Sequence, residues 1–175
     1  AAEIVAQVWL AVGELAQHQP ENPQLTNVVM MGMGEPLLNF NAVMQSSRLI
    51  LDDLAFGISK RKLTISTVGI VPAIEKLKEH TDVSLAVSLH APRNDLRDRL
   101  LPINRHYPLE QLIPACGSYV RRKSHRTITW EYVMLDGVND SRREATELLR
   151  LIDKIPSKIN LIPFNPFPGT PLRCS

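Results

Sequence analysis

Val83-Ser84-Leu85-Ala86-Val87-Ser88-Leu89-His90 is the stretch on which the fold turns. Its residues alternate. Val83, Leu85, Val87 and Leu89 fall on one side of an extended chain, and Ser84, Ala86, Ser88 and His90 on the other. The apolar side requires a covering layer. The small, polar side suits a space filled by a ligand, or equally a narrow barrel interior that admits only small side chains. The pattern alone leaves both readings open.

Similar runs recur on either side. Val28-Val29-Met30-Met31 and Leu63-Thr64-Ile65-Ser66-Thr67 read as strands upstream, and residues 127–134 and 158–163 read as strands downstream. The first is uniformly apolar, as expected of a strand covered on both faces in a parallel sheet. Helical spacing fills the intervals. Ile4, Val5, Val8, Trp9, Val12 and Leu15 form one stripe over residues 1–17. Val43, Met44, Ile50, Leu51 and Leu54 form another in a helix from about Asn39. A third helix has Pro72 in its first turn, where proline is tolerated, with Ile74 and Leu77 inward. A fourth opens at Pro108 with Leu109, Leu112, Ile113, Cys116, Tyr119 and Val120 inward. Ser141 and Glu144 form a capping box for the last, which turns Ala145, Leu148, Leu149 and Ile152 inward. Residues 18–26, with Pro20 and Pro23, read as a loop, and residues 91–107 as an irregular, Arg-rich stretch. Strict alternation of helices and short apolar strands predicts βαβ units and a parallel α/β sheet. Right-handed crossovers curl such a series into a barrel or part of one.

The composition agrees with one domain of ordinary size. The 175 residues are 44 % apolar, enough for a single core, and 5 % aromatic, so aliphatic side chains must fill most of it. A net charge of +2 excludes a polycationic nucleic-acid coat and an acidic solvating tail. No run of apolar residues is long enough to span a membrane. Cys116 and Cys174 make neither a disulfide framework nor a metal motif, and they suit a reducing cytoplasm. The chain opens inside a helix already under way and stops at Ser175 without a closing element, which reads as an excerpt incomplete at both ends.

In parallel α/β folds, ligands gather at the carboxyl ends of the strands. Those ends supply Gly34-Glu35-Pro36, Ser66-Thr67, Ser88-Leu89-His90, Asp136-Gly137 with Asn139-Asp140, and Asn165. Such a ring of hydroxyls, acid, imidazole and amide suits a polar small molecule and lacks the Gly-rich phosphate loop of a nucleoside triphosphate site. Plainer roles stand beside these. Gly34-Glu35-Pro36 alone reads as a turn, His90 as a structural histidine, Ser66 as a small lumen residue and Asn165 as a local cap. Cys116 falls in an apolar stripe and reads as core, Cys174 as a bystander, and Glu131 as the partner of an Arg inside the barrel rather than a cofactor contact. Three basic clusters offer phosphate contacts or simply solvated faces. They are Lys60-Arg61-Lys62, then Arg93, Arg97, Arg99 and Arg105, and then Arg121-Arg122-Lys123 with His125 and Arg126.

The block from Val28 to Asn39, with Met31-Gly32-Met33-Gly34-Glu35-Pro36 at its centre, closely resembles a signature of the RlmN/Cfr family of radical SAM RNA methyltransferases. The resemblance continues through residues 64–69, Leu85–Pro92, Arg99–Asn104, Glu131–Asp140 and Ile162–Pro166, in order and over nearly the whole chain. It implies a partial (β/α)6 radical SAM barrel with a parallel sheet, occupying residues 1–175 as one radical SAM core domain. By the same resemblance, the first barrel strand and the cluster loop are expected to lie outside these residues. It implies S-adenosylmethionine (SAM) and a [4Fe-4S] cluster as cofactors, and methylation at C2 of adenine in 23S rRNA and in tRNA through a methyl-cysteine intermediate. C2 lies between two ring nitrogens, so it is too electron-poor to attack a sulfonium methyl group, whereas a carbon radical can add there.

Carried over by position, Gly34 and Glu35 meet the methionine end of SAM. Ser66 and the Ser88-Leu89-His90 run hold its carboxylate and ribose, and Asn165 lies near the adenine. The family's CxxxCxxC motif has no counterpart in the sequence, and Cys116 and Cys174 are too few and wrongly spaced to replace it. The expectation is therefore no metal-binding or catalytic residue within this chain, cluster ligands outside it, and catalytic silence by itself. The resemblance further implies RNA substrates, an electron donor such as flavodoxin or ferredoxin, no membrane, a monomer, and a cytoplasmic location. Two other readings remain: a non-catalytic SAM- or RNA-binding fragment, and another radical SAM branch such as a glycyl-radical activating enzyme. The Leu135-Asp136-Gly137-Val138-Asn139-Asp140 block argues against the second.

Overall fold

The computed structural model describes residues 1–18, 21, 25–121 and 126–175. Most of the expected loop at 18–26, and Arg122, Lys123 and His125 of the third basic cluster, lie outside the described residues. The elements run α1 (Ala2–His18), β1 (Val28–Met30), α2 (Phe40–Leu51), β2 (Leu63–Thr67), α3 (Val71–His80), β3 (Ser84–Ser88), α4 (Asn94–Leu100), α5 (Leu109–Arg121), β4 (Ile128–Met134), α6 (Arg142–Ile152) and β5 (Ser157–Pro163). Short 3-10 turns occupy Pro36–Asn39 and Pro102–Arg105.

The strands form one five-stranded sheet in the order β1-β2-β3-β4-β5, every neighbouring pair parallel. The order never reverses, so right-handed crossovers place all the helices on one face and leave the other free to curl around a lumen. This is the α/β, partial-barrel arrangement expected from the sequence. The register divides the two faces. Ser66, Ala86, Thr129 and Lys158 lie level across four strands, and Ser88, Glu131 and Asn160 lie level one rung higher. These are lumen residues, small or polar as the alternation of residues 83–90 predicts. The opposite face carries Leu63, Ile65, Val83, Leu85, Val87, Leu89, Ile128 and Trp130, all essentially buried. They share a core with Val43 and Ile50 of α2, Ile74 and Leu77 of α3, and Leu112 and Cys116 of α5.

The helix starts follow local chemistry. Ser141 caps α6, its Oγ accepting from the backbone N–H of Arg143 and of Glu144 at 3.2 and 3.4 Å, and its hydroxyl also meets the Glu144 carboxylate. Pro72 sits in the first turn of α3, where its missing N–H costs nothing.

Several expectations need correction. Residues 91–107 are not irregular: they fold into α4 and a 3-10 turn. Seven residues are too few to display a period, and one of the inward-facing residues of α4 is an arginine. Trp9 is 67 % exposed, because α1 flanks only the edge strand and reaches the core through Val8. Val29 and Met31 are exposed rather than covered on both faces, since β1 is an edge strand and both point to the open lumen side. Leu54 is also exposed: α2 ends at Leu51, and the Asp52 carboxylate accepts from the Leu54 N–H to turn the chain away. Leu149 faces solvent on α6. Among the described residues Glu131 pairs with no arginine; its Oε2 accepts from Asn160 Nδ2 at 2.6 Å.

Candidate functional site

A cavity of about 170 Å³ opens at the carboxyl ends of β1 to β4, and its polar wall is Gly34, Glu35, Ser66, Ser88, His90 and Glu131. It shares Met30, Met31, Gly34, Glu35 and Pro36 with a larger cleft of about 570 Å³ between α1, β1 and the start of α2. The larger cleft is mostly apolar, and the groups capable of chemistry converge in the smaller space.

The β1 end is a stretch of bare backbone. Gly32 and Gly34 adopt φ of +120° and +98°, which other residues rarely accept. A Cβ built on either would meet no atom within 4 Å. The loop therefore presents open peptide groups to the cavity, a surface that a polar ligand can approach closely. Glu35 holds this loop in place: its Oε1 accepts from Leu37 N–H at 3.0 Å and its Oε2 from Val68 N–H at 2.8 Å. The carboxylate thus ties the end of β1 to the end of β2.

Ser66 is buried on β2, and beside it Thr67 Oγ1 accepts from Gly69 N–H at 3.1 Å. Ser88 ends β3, and the chain then bends sharply. His90 adopts φ +56°, the only described non-glycine residue in the left-handed region. Three contacts hold it there. Its N–H reaches the Glu131 carbonyl at 3.3 Å, its carbonyl accepts from Asn139 Nδ2 at 2.9 Å, and its Nδ1 accepts from Val133 N–H at 3.1 Å. An accepting Nδ1 places the ring proton on Nε2 and keeps the imidazole neutral. Burial, with a smaller contribution from the Arg97 charge, pulls its pKa down to about 4.

That depression makes stability depend on pH. The unfolded chain binds the histidine proton near pH 6.5 and the folded one only near 4, so His90's contribution is complete above 6.5 and is lost as pH falls through 4. Its full extent is about 3 kcal/mol. Glu110, Glu144 and Glu147 are held below the usual carboxylate range by their partners, so their losses come at lower pH. Between pH 6.5 and 5, urea-unfolding free energy should fall in the unaltered protein and stay level in His90→Asn, because asparagine tolerates the left-handed backbone and does not titrate. Equal slopes would rule this account out.

Behind the cavity wall lies a buried arginine. Arg97, fully buried on α4, donates from Nη2 to the carbonyls of Val68 at 2.8 Å and Ser88 at 2.9 Å, from Nε to that of Leu89 at 3.2 Å, and from Nη1 to Asn104 Oδ1 at 2.8 Å. Its pKa is lowered to about 10 by burial. It is therefore a structural clamp on the ends of β2 and β3 rather than a member of a phosphate-binding cluster. Arg93 is likewise engaged, with Asp95, Glu144 and Glu147. Lys60 and Arg126 both pair with Asp82.

The cavity brings together Gly34, Glu35, Ser66, Ser88 and His90. Leu89 is fully buried with both backbone groups engaged, its N–H on the Glu131 carbonyl and its carbonyl on Arg97. Asn165 is exposed beyond β5 and does not line the cavity. The Asp136–Asp140 cluster serves its own turn: Asn139 spans Leu135, Val133 and His90, and Asp140 accepts from Gly137 N–H. Glu131 is the added lining residue. Its signal in the sequence was its position among lumen residues of a strand.

The cradle fits a polar nucleoside-like ligand, with open backbone at one end and hydroxyls and an imidazole at the other. It does not fit an iron–sulfur cluster. Among the described residues no group of three or more His, Cys, Asp or Glu side chains is placed to hold a metal. Cys116 is buried in the core, its thiol pushed up to about 12 by burial, and Cys174 is exposed beside Leu135.

A profile of the Radical SAM superfamily matches residues 7–149. The chain is 62 % identical over 174 residues to a dual-specificity RNA methyltransferase RlmN from Alkalilimnicola ehrlichii, covering 99 % of this chain and 48 % of that protein. It is 61 % identical to the RlmN of Halorhodospira halophila, over 97 % of this chain and 46 % of that one, and 55 % identical to that of Dichelobacter nodosus, over 99 % and 48 %. The chain thus spans about half the length of the curated relatives it matches. A crystal structure of a radical SAM methyltransferase from Sphaerobacter thermophilus superposes with a TM-score of 0.90 at 45 % identity, over 98 % of this chain and 50 % of that one. A domain of a pyruvate-formate lyase-activating enzyme from Bacteroides vulgatus shares the fold at 14 % identity, with a TM-score of 0.61 over 86 % of each chain.

Proposed function

This chain belongs to the radical SAM superfamily, and from that premise we propose that its strand-end cavity is the SAM cradle of an RNA methyltransferase modifying C2 of adenine in 23S rRNA and in tRNA. The observation that carries the reading is the convergence of Gly34, Glu35, Ser66, Ser88 and His90 on one cavity. The identity with RlmN proteins over nearly the whole chain supports the substrate class.

SAM supplies the carbon-radical chemistry that an electron-poor ring carbon requires. The residues of this chain bind and orient it. Open backbone at Gly34, with the Glu35 carbonyl beside its bond from the Leu38 N–H, accepts from the methionine ammonium. The carboxylate of Glu35 has both oxygens on backbone N–H groups, so it shapes the loop. The Ser66 hydroxyl meets the methionine carboxylate, and Ser88 with His90 Nε2–H meets the ribose. Leu89 anchors that run in the helix layer, and Asn165 approaches the adenine edge from beyond β5. Arg99 and Arg105, both exposed, follow the cradle and are suited to RNA phosphates. An electron donor such as flavodoxin or ferredoxin, a monomeric state and a cytoplasmic location belong to the same reading. Among the described residues no helix is long and apolar enough to cross a membrane.

Titration calorimetry of the intact protein with S-adenosylhomocysteine tests the cradle without turnover. Ser66→Ala combined with Ser88→Ala removes two ligand-facing hydroxyls and should weaken binding on the order of tenfold or more. Unaltered binding would overturn the assignment.

A further inference from the structure

We infer that Glu131 is a specificity-determining residue of this cradle, its buried carboxylate selecting the cationic sulfonium ligand over the neutral thioether. The inference rests on the reading of the cavity as a SAM site.

Glu131 is 5 % exposed, yet it lines the cavity beside Ser66, Ser88 and His90. Its register partner on β3 is Ser88, so it stands on the lumen face. One carboxylate oxygen accepts from Asn160 Nδ2, and none of the ion pairs among the described residues includes Glu131. Of the other charged groups nearby, those that line or back the cavity are already matched, and Lys158, one rung away on the lumen face of β5, is exposed and does not line it. Glu35 has a backbone N–H on each oxygen. His90 accepts at Nδ1 and is neutral. Arg97 is turned to the carbonyls of Val68, Ser88 and Leu89 and to Asn104, which in turn donates to Asp98. Glu131 is left with a neutral amide as its partner.

A buried carboxylate without a cation is costly, and a positively charged ligand offsets that cost. SAM carries one positive charge more than S-adenosylhomocysteine and is otherwise larger only by a methyl group. Around a carboxylate as buried as that of Glu131, attraction between charges extends over several ångströms and needs no direct contact. The hydroxyls of Ser66 and Ser88 see groups common to both ligands, so they cannot discriminate. Glu131 can.

The test is equilibrium binding of SAM and S-adenosylhomocysteine to the intact, unreduced protein and to Glu131→Gln, whose amide oxygen still accepts from Asn160. The unaltered protein should bind SAM at least tenfold more tightly. The variant should lose at least tenfold toward SAM and stay within threefold toward S-adenosylhomocysteine. Equal weakening of both would make Glu131 a contact to the shared ribose or ammonium, and no change would make it a β4–β5 tie; either overturns the inference. If the unaltered protein binds neither ligand, the cradle reading itself fails and takes this inference with it. Sinefungin, which carries an amine in place of the sulfonium, gives a second measure that needs no variant. It should bind the unaltered protein at least tenfold more tightly than S-adenosylhomocysteine, and equal affinities overturn the inference.

Discussion

Replacing Arg97 by Leu should lower the unfolding free energy by about 3–5 kcal/mol. The guanidinium itself is expensive to bury, as its lowered pKa of about 10 reflects, so an apolar residue of similar size could seem harmless. It is not, because the acceptors remain. The carbonyls of Val68 and Ser88 and the Asn104 amide oxygen lose this buried donor, while the Leu89 carbonyl keeps the Ala91 N–H. Each buried orphan costs about 1–3 kcal/mol. Lysine should restore less than half of the loss, since an ammonium cannot span four acceptors arranged for a planar fork. The measurement is urea unfolding followed by circular dichroism, and S-adenosylhomocysteine affinity should fall in parallel as the ends of β2 and β3 separate. An Arg97→Leu protein as stable as its parent would refute the clamp.

Asn139→Ala is expected to cost about 3 kcal/mol by the same logic. The Asn139 side chain is 2 % exposed: Oδ1 accepts from Leu135 N–H, and Nδ2 donates to the carbonyls of His90 and Val133. It closes the turn after β4 and holds His90 in its left-handed conformation from across the sheet. Asn139→Asp should be at least as damaging as the alanine variant, although it is nearly isosteric. Aspartate keeps the acceptor for Leu135 but aims a second, charged oxygen at two carbonyls. Thermal unfolding of the two variants side by side provides the test, and an aspartate variant close to the parent in stability would show that the two donor bonds are dispensable.

These two residues also mark the limit of what the sequence made legible. The strands, four of the five interior helices and the faces of β3 could be read directly, because alternation and helical spacing are local consequences of burial on one side. Ser66, Ser88, His90, Gly34 and Glu35 could be located as a group, because a parallel sheet delivers every strand end to one rim. Within the Arg-rich stretch, Arg97 looked like Arg93, Arg99 and Arg105, charges in a run that offered phosphate contacts or a solvated face. Asn139 looked like one more polar strand-end group.

The amino-acid order thus determined the parallel α/β architecture, the rim where the ligand groups gather, and the identity of most residues that line it. Each of these depends on neighbours within a few positions along the chain. The tertiary structure alone decided which polar residues face the cavity and which serve the scaffold. It turned Arg97 under the ends of β2 and β3, tied the Glu35 carboxylate to the N–H of Val68 33 residues away, and left Glu131 opposite a neutral amide. The physical reason is that a buried hydrogen-bonding group takes its role from whichever partner the packing brings within reach, and the packing joins residues far apart in the chain.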